Sequence, residues 1–186
     1  EFSQSIQNAL GIEAVGIWNF DEGLGATNFA DTSGNGNNGS CTGASCPTAT
    51  ADTPQAVLGQ GAGKYALSFD GVDDYVQTAA GPGITGAQAR TVSFWSYTRT
   101  LPAASLNGTV VVGFGNAAQY NYYQMVVLPG TGNWNLWGSG YDFYPGISVV
   151  LNTWEFHTLT FDGTNMIWYR NGVKVGSGNM SLLNTG

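Results

Sequence analysis

Residues 153–175, TWEFHTLTFDGTNMIWYRNGVKV, narrow the possible folds more than any other stretch. Side chains alternate with a period of two, and two tight-turn dipeptides, Asp162-Gly163 and Asn171-Gly172, interrupt the alternation. Asn-Gly is the favoured pair for a two-residue type I′ turn, whose twist matches the strands it joins. The segment therefore reads as a three-stranded antiparallel meander. The same period runs through VGIWNF (15–20), TVSFWSYT (91–98), TVVVGFG (109–115), YYQMVVL (122–128) and NWNLWG (133–138), while ALSFDGVDDYVQT (66–78) reads as two strands around a turn. Twenty-eight glycines punctuate these runs. Several strands are apolar on both faces, as expected when sheets stack. The fold class is all-β, a sandwich of two antiparallel sheets.

Only residues 1–12 break the period. Phe2, Ile6 and Leu10 recur every fourth position, which predicts a short N-terminal helix ending near Gly11, or else a frayed terminus. No linker divides the remainder, so residues 13–186 are expected to form one domain. No window approaches the ~20 apolar residues of a membrane span. No secretory leader is evident, and the chain reads as a mature or trimmed piece.

Charge excludes one class of partner. Hydrophobic residues make up 42% of the chain and charged residues only 9%, with a net charge of -7. Globular chains average about 25% charged, so this surface is built from Asn, Gly, Ser and Thr. Such a skin suits an extracellular or cell-surface module. The five basic residues, Lys64, Arg90, Arg99, Arg170 and Lys174, are scattered. They form no patch that could neutralise phosphates, which argues against nucleic acid. Cys41 and Cys46 lie five apart without any metal-type spacing. A disulfide there would pin a Gly-rich excursion and imply an oxidising compartment; two free thiols are the alternative.

VGIWNFDEGLGATNFADTSGNGNNGS followed by ALSFDGVDDYVQT, then TVSFWSYT and the 153–175 meander, resembles the laminin-G-like branch of the concanavalin A-like lectin/glucanase superfamily over residues 15 to about 176. The resemblance implies a jelly-roll sandwich used mainly for binding and adhesion. Such domains usually end in a further strand pair, whereas this sequence stops at SLLNTG; the missing strand is either cut away or supplied by another chain. The join FSQSIQNALGIEAVGIWNFDEG also resembles bacterial type IV pilin-like proteins carrying such a head, which would make residues 1–12 the end of a longer helix.

Three kinds of site follow. Asp31, Asn35 and Asn37 offer oxygens to a hard cation, and laminin-G-like domains often bind Ca2+ near this segment. The same residues equally suit a long metal-free turn, since Asn and Gly accept left-handed angles and Asp caps its own turn. Asp21 and Glu22 read as turn caps, and Asp70, Asp73 and Asp74 as a hairpin turn or a weaker cation cluster. The aromatic content, 13%, supplies the third kind. Tyr120, Tyr122, Trp137, Tyr141 and Tyr144 are candidates to stack on a ligand, whereas Trp18, Phe94, Trp154 and Trp168 are expected in the core. NWNLWG places Trp134 and Leu136 on one face and Trp137 on the other.

Catalysis finds no support in the residues. Glycoside hydrolysis needs a pair of carboxyls about 5–9 Å apart. None of the four glutamates, Glu1, Glu13, Glu22 and Glu155, belongs to the Glu-x-Asp-x-x-Glu pattern of the superfamily's glucanases. The single histidine, His157, lacks any triad signature and reads as a packing or hydrogen-bonding residue. The expected function is a non-enzymatic binding or adhesion module, with glycan or a surface protein as partner. A structural subunit self-associating along an appendage and a carbohydrate-binding accessory domain are the alternatives.

Overall fold

The structure, a computed structural model, describes residues 14–54, 63–104, 108–116 and 118–186. The expected N-terminal helix falls outside them. The chain is all-β with antiparallel pairing throughout, as the jelly-roll sandwich class requires. Its residues gather into two compact units, up to Gly83 and from Ile84 onward.

In the first unit, β1 (Asn28–Phe29), β2 (Gly39–Ser40) and β5 (Gln77–Thr78) form one small sheet, and β3 (Thr48–Thr50) pairs with β4 (Ala66–Ser68) in another. The two strands of ALSFDGVDDYVQT thus flank their turn but pair with different partners, so they are no hairpin. VGIWNF forms no ladder either, only the single bridge Trp18–Asp31. Two local facts account for this. Gly16 lies against the Trp18 ring, and Phe20 sits at a left-handed φ of 58°, which breaks an extended run.

The second unit carries the regular structure. One sheet has the order β12 (Val173–Asn179), β11 (Asn165–Arg170), β10 (Trp154–Phe161), β6 (Arg90–Tyr97). The other runs β7 (Thr109–Gly115), β8 (Tyr122–Val127), β9 (Trp134–Trp137). The expected type I′ turn is present, with Asn171 at φ 52° and Gly172 at φ 78°. At the other turn Asp162 accepts backbone bonds from Thr164 and Asn165, and Gly163 takes φ 98°.

Alternation decides which side chains meet between these two sheets. His157, Leu159, Phe161, Met166 and Trp168 come from the first, and Tyr123, Met125, Val127, Trp134 and Leu136 from the second, all buried. Phe94 packs against this core and Trp168 lies within it, as expected. Trp154 does not. It sits on the opposite face of β10, half-buried against Tyr97 at 5.4 Å, because its position in the strand is out of phase with His157. Trp18 is also only half-buried, and its indole N–H bonds to the Asn37 carbonyl at 2.9 Å.

The final residues close the unit. Met180 and Leu183 are buried, and Thr185 bridges to Gly86. Arg90 fastens this end, donating to the Thr185 hydroxyl and the Gly86 carbonyl, each at 2.6 Å. Its guanidinium lies 5.2–5.9 Å from the ring centres of Phe114, Tyr123 and Phe161, a cationic group caged by aromatics.

Candidate binding site

The polar run after Trp18 is organised around one carboxylate. Asp31 Oδ1 accepts from the backbone N–H groups of Ile17 and Ser33, both at 2.9 Å. Its Oδ2 accepts from the Ser33 hydroxyl at 2.8 Å and the Asn37 N–H at 2.9 Å. Burial raises the carboxyl pKa, but these four bonds outweigh it and hold the group at about 2. Asn35 and Asn37 turn their amide nitrogens inward, donating to the carbonyls of Ala14 and Val15. Beside them lies a shallow depression of about 430 Å³ that reaches Val15 and Pro82. The three expected metal residues therefore adjoin one another, and their hydrogen bonds stitch a turn.

The other acidic residues are similarly engaged. Asp21 accepts the Tyr65 N–H and Glu22 the Ala30 N–H, so instead of capping the turn that follows them, as expected, the two carboxylates tie it to distant backbone. Asp70, Asp73 and Asp74 bring carboxylate oxygens within 4.8 Å of one another. Asp70 accepts from Val72, Asp74 from the Asp70 N–H, and Asp73 from the Ser45 hydroxyl. Cys41 and Cys46 are joined by a disulfide.

The five aromatic candidates do not form one cluster. Tyr120 and Tyr141 meet edge to face at 6.2 Å, and the Tyr141 hydroxyl donates to Asn179 at 3.0 Å. Tyr144 stands 62% exposed with its hydroxyl on Asp142. Burial, then the Asp142 charge, raises its pKa. Tyr122 and Trp137 share a different surface. Tyr123, Met125, Trp134 and Leu136 point into the core, so Tyr122, Gln124, Val126, Asn135 and Trp137 line the outward face of β8 and β9. Gln124 stands directly opposite Trp137 and beside Gly113, and Tyr122 is opposite Gly115.

A Cβ on Gly108 would come 2.8 Å from the far edge of the Trp137 ring, so the ring reaches the residue just before β7. Val126 and Asn135, on the same face, are buried, at 0% and 2% exposed. A Cβ on Gly113 would come 2.9 Å from the Gln124 side chain and one on Gly115 would run into the Asn121 carbonyl, so both glycines mark close approaches. Gln124, Asn135 and these glycines escaped the sequence reading because only the register reveals that they adjoin Trp137.

Neither Glu155 nor His157 is placed for hydrolysis of a bound substrate, at 2% and 0% exposed. Glu155 accepts from Arg170 and from the Val150 N–H, both at 3.1 Å. The Trp168 indole donates to His157 Nδ1 at 3.0 Å, the packing and hydrogen-bonding role expected of it. Among the described residues no helix is long and apolar enough to cross a membrane.

Comparison with curated proteins finds no match. Among solved structures, domain 4 of AbnA, a GH43 extracellular arabinanase from Geobacillus stearothermophilus, in complex with arabinotriose, is similar with a TM-score of 0.60 at 21% identity. The alignment covers 80% of this chain and 68% of that one, and at such identity it speaks to the fold alone. Neither result bears on the pilin-like resemblance. The profile of the concanavalin A-like lectin/glucanases superfamily, in its laminin-G type, matches residues 70–185. With more than half its length matched and an all-β sandwich core, the chain belongs to the concanavalin A-like lectin/glucanases superfamily.

Proposed function

We propose that this chain is a non-catalytic, extracellular binding module that takes a glycan on the outward face of β8 and β9. One observation carries the reading. The Trp137 ring reaches Gly108, just before β7, with Gln124 directly opposite Trp137 on the ladder and Tyr122 two residues further along the same face. An indole offers its π-face to the C–H face of a sugar ring, and the amide of Gln124 supplies both a donor and an acceptor for hydroxyls. The arabinotriose held by the similar arabinanase domain supports a saccharide as the ligand class. The disulfide suits an oxidising compartment, and the buried Glu155 and His157 support a role without hydrolysis.

Adhesion to a surface protein and self-association along an appendage compete for the same face, and a pilin-like placement would be decided by the codons upstream of Glu1. The test is a glycan array followed by calorimetry. The expected result is selective binding of one oligosaccharide class that Trp137→Ala weakens at least tenfold while leaving the melting temperature within a few degrees. No binding to any glycan, or equal binding by Trp137→Ala and Tyr122→Ala, would sink the proposal.

A further inference from the structure

The core of the second unit contains polar side-chain atoms that find no partner among the described residues. They are Ser96 Oγ, Trp134 Nε1 and His157 Nε2, with Asn135 Nδ2 on the far face of β9. Buried polar groups are satisfied in the great majority of cases, by protein or by ordered water, so three together call for an explanation.

Their chemistry can be read from the bonds around them. Trp168 donates to His157 Nδ1, so the neutral imidazole carries its proton on Nε2. That Nε2–H lies 4.0 Å from Glu155 Oε2, too far for a hydrogen bond. Trp134, wholly buried, packs its ring 4.5 Å from the imidazole and can only donate. Ser96 is the direct cross-strand partner of Glu155, on the same inward face. Glu155 Oε2 accepts from the Val150 N–H, and Oε1 holds Arg170. A carboxylate oxygen has room for a second donor, and the His157 N–H, the Ser96 hydroxyl across the ladder and the Trp134 indole packed on the imidazole lie on the same inward side.

We propose that one ordered water molecule sits between these groups, bridging His157 Nε2 to Glu155 Oε2 and completed by Ser96 Oγ and Trp134 Nε1. The donor set selects the occupant. A cation would meet two N–H groups, an anion would meet Glu155, and an apolar molecule would satisfy nothing. Water both donates and accepts, and buried waters make two to four bonds. A separation of 4.0 Å between Nε2 and Oε2 leaves room for two legs of about 2.8 Å through an intervening oxygen. The water links β6, β10 and β9, and so ties the two sheets of this unit by a polar contact at the centre of an otherwise apolar core.

A crystal structure at better than about 1.5 Å tests this directly. Expected is a spherical density peak within hydrogen-bond distance of His157 Nε2, Glu155 Oε2 and at least one of Ser96 Oγ and Trp134 Nε1. An empty site, or an imidazole in direct contact with Glu155, overturns the proposal. Oxygen-17 relaxation dispersion gives an independent reading in solution, with the folded state of each protein checked by circular dichroism. The intact chain is expected to hold one more long-lived water than Ser96→Val, whose methyls fill the site; equal counts overturn it.

Discussion

The indole N–H of Trp168 and the Nδ1 of His157 meet at 3.0 Å in the middle of the core, and this single bond fixes which nitrogen of the imidazole is protonated. It also makes the neutral ring the form that the fold accepts. Burial, and then the Arg170 guanidinium, pull the His157 pKa down to about 4, against about 6.5 in an unfolded chain.

Between those values the unfolded state binds a proton that the folded state refuses, so stability rises with pH across the window and is level above it. Acidification from pH 6.5 to 4 is expected to cost on the order of 3 kcal/mol from this residue alone. Urea midpoints measured against pH check this. His157→Gln should flatten the slope between pH 6.5 and 5, above the range where carboxylates titrate.

Asp31→Ala removes the acceptor of four hydrogen bonds and is expected to destabilise the chain by roughly 2 kcal/mol. Because the folded pKa lies below the ordinary 3.8, the stabilisation is complete above about pH 4 and is lost as the pH falls toward 2. Each oxygen already accepts two donors, so melting temperatures in millimolar calcium and in chelator are expected to agree. A rise with calcium that Asp31→Ala abolishes would instead mark the loop as a metal site.

Arg90→Met should cost on the order of 3 kcal/mol, since it removes the bonds to the Thr185 hydroxyl and the Gly86 carbonyl, the latter keeping only its longer bonds from Thr185, and leaves a buried gap among three rings. Thr185→Val should cost less, because Gly86 keeps the Arg90 bond. Chemical denaturation of both variants measures the order.

Reduction of Cys41–Cys46 is expected to lower stability by about 2 kcal/mol, the loop-closure value for so short a ring. A thermal scan with and without reductant, beside the Cys41→Ser, Cys46→Ser double variant, reads it.

Gly108→Val places a side chain where the Trp137 ring now lies. It should displace the ring and weaken glycan binding at least tenfold while the tryptophan itself is retained. Calorimetry against the oligosaccharide selected on the array is the measurement.

Much of this molecule was legible before its structure. The meander, its type I′ turn at Asn171-Gly172 and the opposed facing of Trp134 and Trp137 follow from a period of two and from turn chemistry, both local properties. What failed depended on distant partners. ALSF and YVQT look like a hairpin because the turn between them is sound, but sheet membership is decided by β2 and β3, whose two or three residues carry no period at all. Trp154 reads as core by its size, whereas its phase relative to His157 sends it to the other face. At the candidate site the aromatic candidates could be named. That only Tyr122 and Trp137 of the five share the β8–β9 face, with Gln124 of β8 opposite Trp137, is a fact of register.

The bridge from Thr185 to Gly86 has a consequence for how the protein is made. The partners are 99 residues apart in the chain, and Leu183 beside the bridge is wholly buried. Residues 84–186 therefore cannot complete their core while the last few of them are still inside the ribosome. Strands β6 to β9 emerge first and must wait with apolar faces uncovered, a state open to capture by other chains. Holding such a segment unaggregated until its end arrives is a task for chaperones, and expression yield should respond to their supply.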